Sequence, residues 1–453
     1  MASTYLTRAM GSVNEQQFTW SFWVKRGKLG VEQHLVGNFV NGDNRTHVFF
    51  DSTDTLRMYS ELGNSLVIQY ETNRKFRDVS AWYHIVIAIN TTQAGGNRIR
   101  FYVNGEEETS FEQEIECNQN TNLSIRATHY IGTYGGDAGN ASYTLDGSLS
   151  HLHFVDGTQL TPSTFGQYDA NGVWTIKTEP TGFTYGSNGY FILKDGNSVT
   201  DQSGEGNNFT VGGGTLTKTE DNPSNVFCVL NKLQKPYPSQ SNTLTFGNTK
   251  YADNNASWQR LYGTIGATTG KYFYEFKVLN VSGTSDNLRV GWDSIDSINN
   301  GTDNYYSGLT IDTAGILRGG EDGYNGYDPN AVQMTAISGG NFSFTTGDIL
   351  GMAIDIDNET FSVYKNGNLE INNYSYASAS NCSLLKSKGH FIAPSVNWYS
   401  STGDVNRGCF NFGNGYFETT AVSSAGSNAS GNGIFEYDVP TGYTALSTKG
   451  LNL

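Results

Sequence analysis

Phe18-Thr19-Trp20-Ser21-Phe22-Trp23-Val24, running into Lys25-Arg26, decides the fold class. Apolar rings alternate with small polar side chains, which is the period-2 pattern of a half-buried β-strand. Trp82 to Asn90 (WYHIVIAIN) is more uniformly apolar, as expected of a strand covered on both faces. A turn at Gly95-Gly96, a run from Ile99 to Val103 and the hairpin signal Asn104-Gly105 follow. The device returns far downstream. Asp348 to Ile356 (DILGMAIDI) reads as a strand, Asp357-Asn358-Glu359 as a turn, Thr360 to Tyr364 as a strand, and Asn366-Gly367 as a second hairpin signal. One repeated supersecondary unit in each half predicts two related sandwiches, and 453 residues is too long for one core.

Composition supports an all-β chain. Charged residues make up 16%, while Gly reaches 54, Phe 25 and Tyr 27, so turn formers and aromatics replace the usual helix formers. An aromatic content of 13% argues against disorder. The net charge of −15 repels phosphate backbones, so nucleic acid is not an expected partner. No run of about 18 apolar residues exists, so no membrane insertion is expected. The opening MASTYLTRAMGSVNEQQ has no apolar core, and no signal peptide is expected.

Metal and nucleophile signals are weak. Cys117, Cys228, Cys382 and Cys409 lie far apart without a C-x-x-C pair, which reads as buried free thiols. His151-Leu152-His153 would place two rings on one strand face, but no third ligand sits at a metal-site spacing, so packed side chains are expected. No Gly-rich phosphate loop and no G-x-S-x-G elbow is present.

The run TWSFWVKRGKLG (19–30), YHIVIAIN with RIRFYVNGE, and above all HFVDGTQLTPSTFGQYDANGVW within 130–177 resemble a laminin-G-like, concanavalin A-type jelly roll found in phages of marine bacteria. GKYFYEFKVLN (270–280), NLRVGWDSID (287–296), GDILGMAIDIDNETFSVYKNG (347–367), FIAPSVNW (391–398) and CFNFGNGYF (409–417) resemble a SPRY domain. The resemblance implies two concanavalin A-like β-sandwiches: residues 1–185 laminin-G-like and 241–417 SPRY-like. A connector at 186–240 joins them, and a tail spans 418–453. It further implies a virion component, made in the host cytoplasm, that acts as a tail fibre, tail-associated protein or capsid decoration. Partners would be other virion proteins, further copies of the chain and host-surface glycans. A purely architectural role is the alternative. Trp20, Trp23, Trp82, Trp174 and Trp292 sit in strand patterns or in the DGT…W element and read as core.

Concanavalin-like folds also host glucanases, which carry paired carboxylates on one strand through E-x-D-x-x-E. Glu112 to Glu116 (EQEIE) and Asp355 to Glu359 (DIDNE) lack that spacing, so no enzyme activity is expected. Binding candidates are aromatic loops: Tyr134 with Asp137, Tyr305-Tyr306, Asp322 with Tyr324 and Tyr327, and Trp398-Tyr399. Tyr supplies an apolar ring with a hydroxyl tip, and Asn and Asp can bond sugar hydroxyls. A packed tyrosine or a subunit contact is an equally weighted reading of each. No cofactor is expected; calcium is the alternative, with Asp137 and Asp146 as its loop acids, joined by Asp43, Asp51 and Asp54, and solvated loop acids are the favoured reading. Calcium takes six to eight oxygens, and no single stretch supplies them.

Overall fold

The computed structural model describes residues 3–194, 198–233, 243–252, 258–281, 288–295, 308–315, 317–319, 333–334, 342–377, 385, 389–399 and 407–452. The chain divides into two compact units, one of residues 1–218 with 222–224 and one of 219–221 with 225–453. Both are built from β-strands, and each is an all-β sandwich.

The first unit runs β1 (Tyr5–Ala9), β2 (Gln17–Arg26), β3 (Gln33–Asn41), β4 (Asn44–Phe50), β5 (Thr55–Leu62), β6 (Ser65–Lys75), β7 (Trp82–Asn90), β8 (Ile99–Val103), β9 (Glu106–Glu108), β10 (Phe111–Ile115), β11 (Thr128–Ile131), β12 (Gly147–Asp156), β13 (Gly166–Tyr168), β14 (Trp174–Ile176), β15 (Tyr190–Ile192) and β16 (Thr210–Gly213). An eight-stranded sheet has the order β10-β6-β5-β4-β3-β11-β1-β16, and a six-stranded sheet the order β15-β12-β2-β7-β8-β9. Phe18, Trp20, Phe22 and Val24 enter the core between them, with Val36, Val48, Met58, Ile68, Ile85 and Ile87.

The opposite face of β2 is not open, which corrects the half-buried reading of that strand: Thr19, Ser21, Trp23 and Lys25 are buried too. Residues after β12 supply the cover. Phe165 packs with Val86, Ala88, Tyr102 and Val155, and Leu160, Phe183 and Tyr185 lie against them. Part of the expected connector also belongs to this unit, since β15 pairs with β12 and β16 with β1. Trp20, Trp23 and Trp82 are buried as expected. Trp174 is half-buried and lies over the turn at Gly105. His151 sits at positive φ in a bulge of β12, and both it and His153 pack on Phe191. Cys117, Cys228 and Cys409 are buried free thiols, and Cys382 lies outside the described residues.

The second unit continues with β17 (Thr243–Thr245), β18 (Lys250–Ala252), β19 (Trp258–Tyr262), β20 (Lys271–Asn280), β21 (Leu288–Ser294), β22 (Leu309–Asp312), β23 (Leu317–Gly319), β24 (Gln333–Met334), β25 (Ile349–Asp355), β26 (Thr360–Lys365), β27 (Asn368–Ser375), β28 (Ile392–Tyr399), β29 (Arg407–Asn411), β30 (Tyr416–Phe417), β31 (Thr420–Ala421) and β32 (Thr444–Ala445). One sheet has the order β17-β18-β29-β20-β25-β26-β27, with β32 paired in parallel to β20. The facing sheet has the order β19-β28-β21-β22-β23-β24. Trp292, Trp398, Tyr274, Phe276, Leu350, Met352 and Ile354 fill the space between them. The tail covers the outer face of β20 and β25, where Phe435, Val439 and Tyr443 pack on Phe273 and Ala353.

Each unit closes with the same clasp. Asn104 Oδ1 accepts the His84 N–H and Asn366 Oδ1 accepts the Ile349 N–H, both at 2.8 Å. The glycine that follows each has positive φ, +87° at Gly105 and +82° at Gly367. An aromatic ring from the trailing segment rests on each glycine: a Cβ would lie 2.5 Å from the Trp174 indole at Gly105 and 2.7 Å from the Tyr437 ring at Gly367. Only a residue without a side chain fits either place.

Candidate functional site

The outer face of the eight-stranded sheet in the first unit carries the richest chemistry among the described residues. It follows from alternation on β4 and β5. Thr46, Val48 and Phe50 face inward with Leu56, Met58 and Ser60, which leaves Arg45, His47 and Phe49 outward beside Arg57, Tyr59 and Glu61. A bulge between His34 and Val36 sends Leu35 into the core and sets His34 opposite Phe49 and Gly37 opposite His47. Cross-strand partners then meet directly: Arg45 with Glu61, His47 with Tyr59, Phe49 with Arg57 and Arg57 with Glu71.

Rings form the base layer. His47 stacks on Tyr59, with centroids 5.7 Å apart and planes 7° from parallel, and His34 stacks on Phe49 at 4.8 Å. The imidazoles of His34 and His47 meet edge to face at 5.2 Å. Tyr134 stands edge-on to His47 at 5.3 Å and to Phe39 at 5.6 Å, and touches Tyr143. Gly135 allows that approach, because a Cβ there would fall 2.5 Å from Cβ of Phe39.

Charged groups sit among the rings. Arg45 bonds Glu61 at 2.7 Å and donates to the Tyr134 hydroxyl at 2.5 Å, while the Tyr59 hydroxyl donates to Glu61 at 2.5 Å. Arg57 holds Asp51 at 2.8 Å and Glu71 at 3.3 Å, over the face of Phe49. Asp51 lies below the ordinary carboxylate range: burial pushes the other way but is outweighed by the Thr53 N–H and Arg57. Burial, then the neighbouring His34 and Arg45, pushes His47 well down. The same burial lowers His34 against the pull of Glu32. Both imidazoles are therefore neutral at pH 7.

Of the residues expected from sequence, Tyr134 belongs to this face. Asp137 lies on the exposed 3-10 turn beside it, Gly135–Asp137, and its carboxylate accepts from the Asn140 amide at 2.6 Å. Asp146 precedes β12, where its backbone carbonyl accepts the Gly27 N–H at 2.8 Å. Asp54 is taken by Arg26 and Arg77, and Asp51 by Arg57. Among the described residues, no group of three or more His, Cys, Asp and Glu gathers to hold a metal.

Trp398 is a correction. It is fully buried, with its ring 4.2 Å from Tyr251, because its place on β28 puts it opposite Leu288 and facing inward. It presents nothing to a ligand. Tyr399 ends the same strand, and its side chain is outside the described set; Tyr305, Tyr306, Asp322, Tyr324 and Tyr327 also lie outside the described residues.

Other polar groupings resolve as structural. On the edge strand β10, Glu112 and Glu114 are exposed, while Glu116 bonds Arg98 at 2.7 Å and the Gly96 N–H at 3.0 Å, fixing the turn after β7. Asp355 pairs with Lys271 at 2.8 Å and caps its hairpin through Asn358. Ser21 and His84 make a 2.9 Å pair that resembles a nucleophile and base. Trp174 donates its indole N–H to His84 Nδ1 at 3.0 Å, so Nε2 must carry the proton and donate to Ser21. A ring in that tautomer, with its pKa pushed by burial down to about 3, cannot take the serine proton.

Sequence reasoning missed His34, Arg45, His47, Arg57, Tyr59 and Glu61. The signal was present in the alternation Arg-x-His-x-Phe at 45–49 and Arg-x-Tyr-x-Glu at 57–61, where the face away from the core is aromatic and charged rather than plainly polar.

Residues 1–164 match the Laminin_G_3 family model, described as the concanavalin A-like lectin/glucanases superfamily. That match contains the face described above. Among solved structures, the chain is similar to the SPRY domain of human HERC1 at 17% identity, covering 38% of this chain and 92% of that one, with a TM-score of 0.27. It is also similar to the native heptameric SAP-like pentraxin of Limulus polyphemus at 20% identity, covering 35% and 72%, with a TM-score of 0.27. No curated protein matches the chain. Among the described residues, no helix is long and apolar enough to cross a membrane.

Proposed function

We propose that this chain is a non-catalytic, carbohydrate-binding structural protein of a phage virion, whose first sandwich holds host-surface glycans on the outer face of β3 to β6. The observation that carries the glycan reading is the half-exposed layer of Arg45, Arg57, Tyr59, Glu61 and Tyr134, with apolar bodies below and polar tips above. Sugars offer the complementary pattern of CH faces and hydroxyls. The concanavalin A-like match of residues 1–164 is compatible with this role. A non-catalytic role is supported by the carboxylates, since Asp51, Glu61 and Glu71 all hold arginines, whereas a glycosidase general acid needs its proton retained.

A face of this kind binds shallowly, and repeated copies on one particle would multiply weak affinity. The virion assignment rests on the phage-protein resemblance of the motifs at 19–30 and 130–177. Mass spectrometry of purified particles tests it: the chain is expected among the virion proteins, and its absence removes that part of the proposal. On a glycan array, the full chain is expected to bind, and Tyr59→Ala, with its fold checked by circular dichroism, to bind at least tenfold more weakly, as removal of a central contact does. Equal binding by wild type and Tyr59→Ala would place the glycan elsewhere.

A further inference from the structure

This inference rests on the glycan reading of the same face and names the form of the ligand. We infer that the glycan is an extended, uncharged polysaccharide, held along an internal stretch that crosses the strands from Tyr134 over Tyr59 and Gln69 to Ile115 on the edge strand β10.

Strand register draws this line. His47 on β4 lies opposite Tyr59 on β5, Tyr59 opposite Gln69 on β6, and Gln69 opposite Ile115 on β10. Cross-strand partners share a face, and here it is the outer one, because the adjacent Val48, Met58, Ile68 and Tyr70 fill the core. Tyr134 stands at the near end, edge-on to His47 at 5.3 Å. His47 is the buried floor beneath; Tyr134, Tyr59 and Gln69 are partly exposed and Ile115 is 43% exposed, so a ligand reaches the line from solvent along its length. Three strand intervals separate His47 from Ile115, about 14 Å at the usual spacing. At one sugar ring to each interval, roughly three or four linked rings cover it. Tyr59 and Ile115 offer apolar contact to sugar CH groups, and the Gln69 amide between them can both donate to and accept from hydroxyls.

Charge is arranged to suit a neutral chain. The line itself is uncharged, made of phenols, an amide, an aliphatic side chain and an imidazole kept neutral by burial. On one side runs Arg45 opposite Glu61, paired at 2.7 Å. On the other runs Arg57 opposite Glu71, paired at 3.3 Å, with Asp51 at 2.8 Å. Both cations are held by carboxylates of their own rows, which leaves a neutral strip between them. The strip is also open at its ends. β10 is the last strand of its sheet with Glu112 to Ile115 exposed, and Gly136 to Ala138 are exposed beyond Tyr134. A chain can continue past both, so no terminal sugar is required. One ring on an open sheet face buries little; once it has met the cost of association, rings linked to it add contact without meeting that cost again.

The test is calorimetric titration of the full chain with oligomers of β-1,4-glucose, α-1,4-glucose, β-1,3-glucose and β-1,4-N-acetylglucosamine, each as a length series from the monosaccharide to the hexamer. In a series that binds, affinity is expected to rise at least tenfold from disaccharide to tetramer and then to level off. Ile115→Ala, an exposed change whose fold circular dichroism checks, is expected to weaken the tetramer about fivefold more than the disaccharide. A disaccharide bound as tightly as the tetramer would overturn the inference and leave the glycan reading in place. So would equal losses for the two lengths in folded Ile115→Ala. Binding of no series overturns it as well, and the glycan reading falls with it only if the array is also silent. The length series on wild-type protein decides the matter even if the variant does not fold.

Discussion

Asp54→Ala is expected to cost the first unit about 3–5 kcal/mol, read as a lowered midpoint in chemical denaturation. Arg26 is 1% exposed, lies 4.3 Å from the Phe50 ring centroid, and meets Asp54 Oδ1 at 3.1 Å. Asp54, 5% exposed at φ +70°, also takes the Gly30 N–H at 2.8 Å and Arg77 at 3.0 Å. Removing the carboxylate strands a guanidinium in the interior with the Phe50 ring and the Phe76 carbonyl, at 2.7 Å, but no countercharge at Asp54. Truncation of one partner is the damaging change; loss of the pair as a whole is milder. Arg26→Met in the Asp54→Ala background is therefore expected to recover most of the loss. If the double variant is no more stable than Asp54→Ala alone, the deficit comes from the loop at 51–54 and not from the orphaned charge.

The second large effect is a pH dependence set by Glu275 on β20. Burial pushes its carboxyl up to about 7, against the opposing pull of the Glu436 and Tyr437 N–H groups at 2.9 Å and the Asn411 amide at 3.0 Å. A folded-state pKa raised above the unfolded value means that the folded chain holds the proton more tightly. The contribution is full below pH 4.5 and is lost as pH rises through about 7. At about 1.4 kcal/mol per unit the span is roughly 3 kcal/mol. Calorimetric unfolding at pH 5 and pH 8 is expected to show the second unit weakening at the higher pH. Glu275→Gln, which cannot ionise, should lower stability at both pH values but flatten the difference between them. A slope that survives in Glu275→Gln would assign the dependence to another group.

Local signals carried much of the architecture. Asn104-Gly105 and Asn366-Gly367 announce their hairpins because positive φ at a tight turn admits few other residues. The strand at 82–90 reads as doubly covered from its own composition, and it is. The second covering of β2 was not legible, since Thr158 and Leu160, whose backbones bond Thr19, follow more than a hundred residues later, and nothing in Phe18 to Val24 encodes their return. Trp398 misled for a related reason. Sequence places it at the end of a strand, but only the register with Leu288 says which way it points. The candidate site was half legible. Tyr134 stood out as an aromatic in a Gly-rich turn, whereas Arg45, His47, Arg57 and Tyr59 acquire meaning only when β3, β4 and β5 align in a register that depends on the bulge at Leu35.

The clasps that lay Trp174 on Gly105 and Tyr437 on Gly367 bear on where this protein can be cut. A fragment ending at residue 164, where the family match stops, would lose the indole and the strands β13 to β16 with it. Val86, Ala88 and Tyr102 would then meet water on a wide apolar surface of the kind that drives aggregation. The first compact unit runs to residue 218, and the core of the second includes Leu446. In each half, a fragment cut at the bounds its motifs announce is expected to lose side chains that cover its apolar sheet face.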